Sequence, residues 1–350
     1  IDGDQASAYV YHRFRVRVGR VTGHTETLGS TEFSLEDIEQ YRRELTGYCY
    51  RMLGSVFEAD DAVQDTMVRA WKAIDRFEGR SSLRSWLYRI ATNACLDMLR
   101  SRQRRARPMD MGPSSKADGV LPAMMAENVF VEPIPDARVL SDRADPAEVA
   151  SMRETIRLAF VSALQYLPAR QRAVLILREV LRWEATEVAD LLDTTVASVN
   201  SALQRARATL AARNLDEFST SADTSDMADE QQALLAQYVD AFERYDISRL
   251  VTLLHADAVM SMPPLPMWLV GPLEIGRFFL GTGSECKGSR TVATAANGAA
   301  AYGTYRVDPD GGWAPWSLLV IEIRGQKVSE LSSFLDTKLF GVFGLPDHLD

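Results

Sequence analysis

Apolar residues recur at three- and four-residue steps through residues 32–107, lapse between 108 and 146, and resume from 147 to 213. After a polar stretch from Glu217 to Asp229 they give way to two-residue alternation punctuated by glycine. Three- and four-residue recurrence marks helices with one buried face, and alternation marks half-buried strands. The expected order is therefore helices, a tether, helices, and an α+β zone. In numbers, 1–31 is a leader, 32–107 and 147–213 are two all-α helical domains, 108–146 and 214–228 are linkers, and 229–350 is a separate α+β domain. Inside the leader, Tyr9 to Val18 alternates; it reads as an edge strand or basic arm, or as part of a poorly ordered leader.

The first helical zone has two faces. Val63, Met67, Ala70, Trp71 and Ile74 recur as a core stripe, and Asp61, Gln64, Asp65, Arg69 and Lys72 share the opposite face. After the loop Phe77–Ser82 a long helix is expected from Leu83 to about Arg105, with Leu87, Ile90, Ala91, Ala94 and Met98 as its apolar stripe. Trp86, Arg89, Asn93, Asp97, Arg100 and Arg104 fall in a second row. A ring, an amide and guanidiniums in one line suit a surface that holds phosphates and stacks unpaired bases. The same row also fits a solvated helix face with Trp86 in the core. Arg100, Arg102, Arg104, Arg105 and Arg107 read as a solvated helix end that complements the C-terminal dipole.

In the second zone, Glu187–Leu192 makes a short helix, Asp193–Val196 a turn, and Ala197–Ala212 a second helix. Ala189 allows close crossing, and Val199 and Leu203 lock the pair. A plain helical hairpin and a DNA-reading helix-turn-helix both fit this pattern.

The last zone opens on a helix with Leu234, Leu235, Tyr238, Val239 and Phe242 on one side, then a helix Ile247–Leu254 and a third at Pro272–Leu280. Strands are expected at Thr291–Ala296, Ala299–Val307, Trp316–Arg324 and Lys327–Ser333. His255, Asp257 and Asp336 are the acid–base candidates, although His255 and Asp257 sit where helix termination alone accounts for them. Met260, Met262, Trp268, Phe278 and Phe279 line either a pocket or simply the core.

Charge and cysteines narrow the partners. A net charge of −9 means that any DNA binding comes from local patches rather than from a global field. Cys49, Cys95 and Cys286 stand apart, without the spacing of a zinc site or a disulfide framework, so no metal is expected. No apolar run approaches membrane-spanning length and no signal peptide is visible, so a cytoplasmic protein without a membrane partner is expected.

Residues 61–105, DAVQDTMVRAWKAIDRFEGRSSLRSWLYRIATNACLDMLRSRQRR, closely resemble region 2 of sigma-70-type factors of the extracytoplasmic-function group. The resemblance implies that Asp61, Gln64, Asp65 and Arg69 face the clamp helices of the polymerase β′ subunit. It implies that the loop carrying Phe77, Arg80, Ser81 and Ser82 captures a base flipped from the −10 element. The row Trp86, Arg89, Asn93, Asp97, Arg100 and Arg104 would then track the melted strand. Residues 167–210, LPARQRAVLILREVLRWEATEVADLLDTTVASVNSALQRARATL, resemble sigma region 4, which reads the −35 element and meets the β flap. That places Ser198, Asn200, Ser201, Gln204, Arg205 and Arg207 on or near the DNA face. The chain departs from the family pattern at Asp193, where glycine is common, and at Asn200 and Ala202, where cations are common. Fewer cations imply that polymerase supplies much of the affinity for DNA.

In that family the tether passes through polymerase, and residues 108–146 carry seven acidic against three basic side chains, which suits a cleft built for polyanions. Phe130 to Asp136 resembles the Trp-x-x-Pro-Tyr-Pro-Asp type motif of such linkers, with Phe130 and Ile134 departing from it. The final zone resembles the SnoaL-like members of the nuclear-transport-factor-2 superfamily, most clearly at LLHADAV and WLVGPLEIGRFF. A cone enclosing an apolar pocket is implied, with His255, Asp257, Met262, Trp268, Phe278 and Phe279 as its candidate lining and a small ligand as a candidate partner. The combined resemblance implies a multidomain, non-enzymatic factor without cofactor or catalytic residues. It would bind core RNA polymerase and promoter DNA and be regulated in cis by the cone. The alternative is a SnoaL-type isomerase or hydrolase tethered to DNA or polymerase.

Overall fold

The computed structural model describes residues 34–100, 104–140, 145–212 and 225–350. The alternating stretch at 9–18, Arg102 and most of the second linker lie outside them. The helical part runs α1 (Leu35–Glu39), α2 (Arg42–Leu53), α3 (Val56–Ala73), α4 (Leu83–Leu99), α5 (Asp136–Val139), α6 (Pro146–Glu154), α7 (Leu158–Leu164), α8 (Ala169–Leu175), α9 (Ala185–Leu191) and α10 (Val196–Ala211). The α+β part follows as α11 (Ser225–Glu243), α12 (Ile247–Thr252), β1 (Leu254–Ser261), β2 (Trp268–Val270), α13 (Gly271–Leu280), β3 (Arg290–Ala296), β4 (Ala299–Val307), β5 (Trp313–Arg324), β6 (Lys327–Phe334) and α14 (Lys338–Val342).

Local chemistry sets the helix ends. Gly54, at φ 70°, supplies the left-handed cap of α2, and Ser55 then accepts the Glu58 amide to start α3. In α10 the cap is Thr195, whose hydroxyl accepts the Ser198 amide at 3.2 Å. Asp193 occupies the turn before it in a left-handed conformation, φ 50°, which a short polar side chain tolerates. The helix expected to run to Arg105 stops at Leu99.

Helix α2 is buried on all sides from Leu45 to Leu53 because α3 and α4 cover one flank while α5, α7 and α8 cover the other. The two helical bundles therefore share a core. Buried arginines join them: Arg51 donates to the Thr155 carbonyl at 3.1 Å and hydroxyl at 2.7 Å. Arg172 reaches the Met52 carbonyl and the Gln165 Oε1, the latter at 2.7 Å. Burial lowers both guanidiniums to about 10, which leaves them charged at neutral pH.

The six strands among the described residues form one mixed sheet, ordered β2-β1-β6-β5-β4-β3. Only β1 and β6 pair in parallel. Strand β5 begins at Trp313, ahead of the expected Trp316, because Pro315 falls where the β4–β5 register shifts. Helices α11, α12 and α13 close over the sheet around Tyr238, Phe242, Leu250, Ile275 and Leu319.

The tether is not a free spacer. The Ser115 amide donates to the Trp268 carbonyl at 2.7 Å, Met125 to Pro264 at 2.9 Å, and Ala117 to the Glu274 carboxylate at 3.0 Å. On the return leg, Val131 and Glu132 bond Ala106 and Gly54 of the first bundle.

The tip of the β3–β4 hairpin, Asn297-Gly298, enters the seam between the bundles. Asn297 is fully buried at φ 57°. Its amide group accepts from the Ile134 N–H at 2.9 Å and donates to the Tyr50 hydroxyl and the Ile156 carbonyl, both at 2.6 Å. Gly298 donates to Asp136 at 2.8 Å.

Candidate nucleic-acid interface and C-terminal cavity

On α3 the side chains of Asp61, Gln64 and Arg69 are exposed and Asp65 is half-buried, with an Asp65–Arg69 ion pair at 2.7 Å. An exposed pair one helical turn apart contributes little to stability. Trp71, expected in the core, is 51% exposed, and Val68 beside it is 39% exposed. The core stripe is Val56, Ala59, Val63, Met67 and Ala70, whereas Val68 and Trp71 continue the row of Asp61 and Gln64. The acidic face therefore carries an apolar patch that helical spacing did not single out.

The next loop holds Arg80, Ser81 and Ser82 in solvent, and Phe77 packs on Trp86 with ring centroids 5.0 Å apart. Ser82 caps α4 by accepting the Ser85 amide. Along α4, Arg89, Asn93, Asp97 and Arg100 are exposed in one row, with Trp86 half-buried at its head. Part of this row is occupied from within. Arg89 donates to the Asp190 carbonyl of α9 at 2.8 Å, and the Arg104 guanidinium stacks on Tyr166, 3.8 Å from its centroid. The indole of Trp183, just before α9, packs 4.9 Å from the Tyr88 ring of α4, with Arg84 over it. An open groove between α4 and the α9 turn is lined by Arg80, Arg89, Asn93, Arg170 and Thr194.

The arginine run that follows is only partly a solvated end. Arg105 is 5% exposed and bonds Glu58 at 2.5 Å and Glu132 at 3.1 Å. Arg107 is also largely covered and lies 3.5 Å from both Asp110 and Glu330.

On α10 the buried positions are Val199, Leu203, Ala206 and Leu210, which leaves Ser198, Asn200, Ser201, Gln204, Arg205 and Arg207 exposed. Arg205 is steadied by Ser201 at 2.6 Å, and Arg207 is paired with Glu179 at 2.5 Å.

The α+β part encloses a cavity of about 290 Å³. Met260, Met262, Phe278 and Phe279 line it as expected, with Phe242 and Leu319. His255, Asp257 and Trp268 do not. His255 and Asp257 fall between Leu254 and Val259, where the register of β1 with β6 shifts, and they turn away from the cavity to Arg324, which bonds both. Trp268 is drawn to the tether, its indole N–H donating to the Gly112 carbonyl at 2.9 Å. Asp336 lies in a separate small depression beside Glu127 and Phe130, and burial raises its carboxyl. The wall also includes Leu121, Pro122 and Met124 of the tether, which nothing in local sequence pattern marks. Among the described residues no cluster of three or more metal-ligating side chains occurs, and no helix is long and apolar enough to cross a membrane.

Family models match the chain at residues 38–105 (Sigma-70 region 2), 157–210 (Sigma-70, region 4) and 230–310 (Nuclear transport factor 2 (NTF2) domain). The chain is 46% identical over 317 residues to the ECF RNA polymerase sigma factor SigG of Mycobacterium tuberculosis, covering 89% of this chain and 83% of that one. Identity to the ECF RNA polymerase sigma factor SigW of Bacillus subtilis is 26%, over 52% of this chain and 89% of that one. Among solved structures, the extracytoplasmic function sigma factor SigJ of Mycobacterium tuberculosis shares the fold, with a TM-score of 0.58 at 21% identity, over 89% of this chain and all of that one.

Proposed function

The chain belongs to the extracytoplasmic-function (ECF) RNA polymerase sigma factors, and from that premise we propose that it is a promoter-specificity factor held closed by its own C-terminal cone. As a sigma factor it binds core RNA polymerase and promoter DNA and directs initiation. In the proposed assignment, Asp61, Gln64, Asp65 and Arg69, together with the apolar Val68 and Trp71, meet the β′ clamp helices. The Phe77–Ser82 loop and the α4 row take the −10 strand. Ser198, Asn200, Ser201, Gln204, Arg205 and Arg207 read the −35 element, with region 4 seated on the β flap. Work on polymerase places the protein in the cytoplasm.

The observation that carries the regulatory reading is the Asn297 contact. One side chain of the cone bonds the first bundle (Tyr50), the tether (Ile134) and the entry to the second bundle (Ile156). While that seam holds, α9 stays against α4 and engages Arg89, which the −10 strand would need. A closed form of this kind is incompatible with placing two modules on separate promoter elements.

The enzymatic alternative is weakened by placement, since catalysis requires an acid or base at the bound substrate. Glu285, the carboxylate on the cavity wall, is already bonded to Arg306 at 2.8 Å, and His255 and Asp257 face outward.

The test is Asn297→Gly in the full chain. Glycine keeps the left-handed turn while removing the three side-chain hydrogen bonds. In run-off transcription with core polymerase the variant is expected to initiate severalfold more than wild type from the same promoter. Equal output would remove the cone as an inhibitor.

A further inference from the structure

The cavity in the cone is not closed by the cone alone. Phe242, Phe278, Phe279 and Met260 form its floor, but Leu121 and Met124 of the tether complete the wall. The tether is pinned on either side of that span, at Ala117 and Met125. Leu121 is nevertheless 42% exposed and Met124 63% exposed, although an apolar space lies beside them. A space of about 290 Å³ lies at the lower end of small-molecule sites.

The polar part of the wall decides what fits. The Thr304 hydroxyl is bonded to Ser317 at 2.6 Å. The Arg306 guanidinium lies over the Trp316 ring, 3.3 Å from its centroid, and is neutralised by Glu285. Glu285 balances the charge of Arg306, but the buried Arg306 Nε has no hydrogen-bond partner and so offers one donor to an uncharged acceptor oxygen, while an ionised occupant would meet no unbalanced charge. A neutral one loses little.

We infer that a small, neutral, largely apolar molecule binds in this cavity and, by touching the tether, holds it docked on the cone. This rests on the proposal that the docked form is the silent one. An occupant contacts Leu121 and Met124 only while the tether is down, and that differential contact is what lets a ligand shift a conformational equilibrium. Linkage makes the effect reciprocal: polymerase that draws the tether away weakens the ligand by the same factor. The bound molecule is a signal and leaves unchanged.

The probe is 2-naphthol, titrated calorimetrically into the full chain. Saturable one-to-one binding is expected in wild type. Binding should be at least tenfold weaker in a Leu121→Asp, Met124→Asp double variant, whose substitutions fall at exposed positions and leave melting unchanged. Excess core polymerase should weaken it at least tenfold as well. The same ring bearing a carboxylate, 2-naphthoate, is expected to bind at least tenfold more weakly than 2-naphthol. No saturable binding of 2-naphthol at millimolar concentration overturns the site. Equal affinity in the tether variant, or with polymerase bound, overturns the coupling, and equal or tighter 2-naphthoate binding overturns the neutral class. Transcription by Asn297→Gly without any probe reports on the regulatory premise separately. If its output matches wild type while 2-naphthol binds as described, the regulatory premise falls and the ligand site stands.

Discussion

Arg105 shows how a single side chain differs from its appearance in the chain. It lies in a run of arginines that suits a solvated helix end, yet it is enclosed between Glu58 and Glu132 and donates to the Phe130 carbonyl at 2.7 Å. Burial opposes the charge on both sides of this cluster, pushing the Arg105 guanidinium down and the Glu132 carboxyl up, and the mutual attraction offsets it. Arg105→Ala is therefore expected to destabilise the helical part by about 3–5 kcal/mol, since it leaves buried carboxylates unpaired. A solvated arginine would cost about 0.5 kcal/mol or less. Urea unfolding followed by helical circular dichroism separates the two, and a midpoint unmoved from wild type would return Arg105 to the surface. Nothing in the run itself distinguishes Arg105 from Arg100. Its partners lie 47 and 27 residues away in the chain, and such pairings are set by tertiary structure. Asn297 was equally silent, since an Asn-Gly turn signals a hairpin but not what the hairpin touches.

At the level of elements, α3 presents acids and an apolar patch on one exposed face. The two kinds of contact respond differently to salt, because exposed charges are screened and apolar burial is not. Charge reversal at Asp61 and Asp65 is expected to weaken binding to core polymerase at least tenfold at low salt and much less at high salt. Trp71→Ala is expected to weaken it by a similar factor at both. Helicity should stay near wild type in each, and a fluorescence titration showing wild-type affinity in both variants would take the clamp contact away from α3. Elements were the legible scale. The helix-turn-helix, the Asn297 hairpin strands and the order of bundles all follow from periodicity, caps and turn residues. What periodicity misplaced were positions on the border between faces. Trp71 follows Ala70 by one residue and so lies about 100° around the helix from the core stripe. The chemistry of His255 and Asp257 suggests the pocket, but the irregular stretch of β1 that carries them faces Arg324 instead.

The whole molecule depends on surfaces that no local pattern announces: a tether bonded along the cone, and a hairpin tip bonded into the seam. Removing three hydrogen bonds of roughly 0.5–1.5 kcal/mol each should make opening of that seam about a hundredfold more frequent. Amide hydrogen exchange in Asn297→Gly is expected to accelerate accordingly over residues 131–136 and 153–158, and also at the α4–α9 contact, which the substitution does not touch. Acceleration confined to the immediate neighbours of Asn297 would mean that the seam and the α4–α9 contact open independently.

The position of Asn297 in the chain also bears on how the protein is made. A ribosome releases residues in order, so α4 and α10 are complete before Asn297 exists. Roughly 90 residues separate Leu210 from Asn297, and at about 5–20 residues per second their synthesis takes on the order of ten seconds. For that interval every new molecule carries both helices without the Asn297 contacts. The proposed restraint is thus not a state the molecule is born into, and each copy reaches it only after Asn297 has been made.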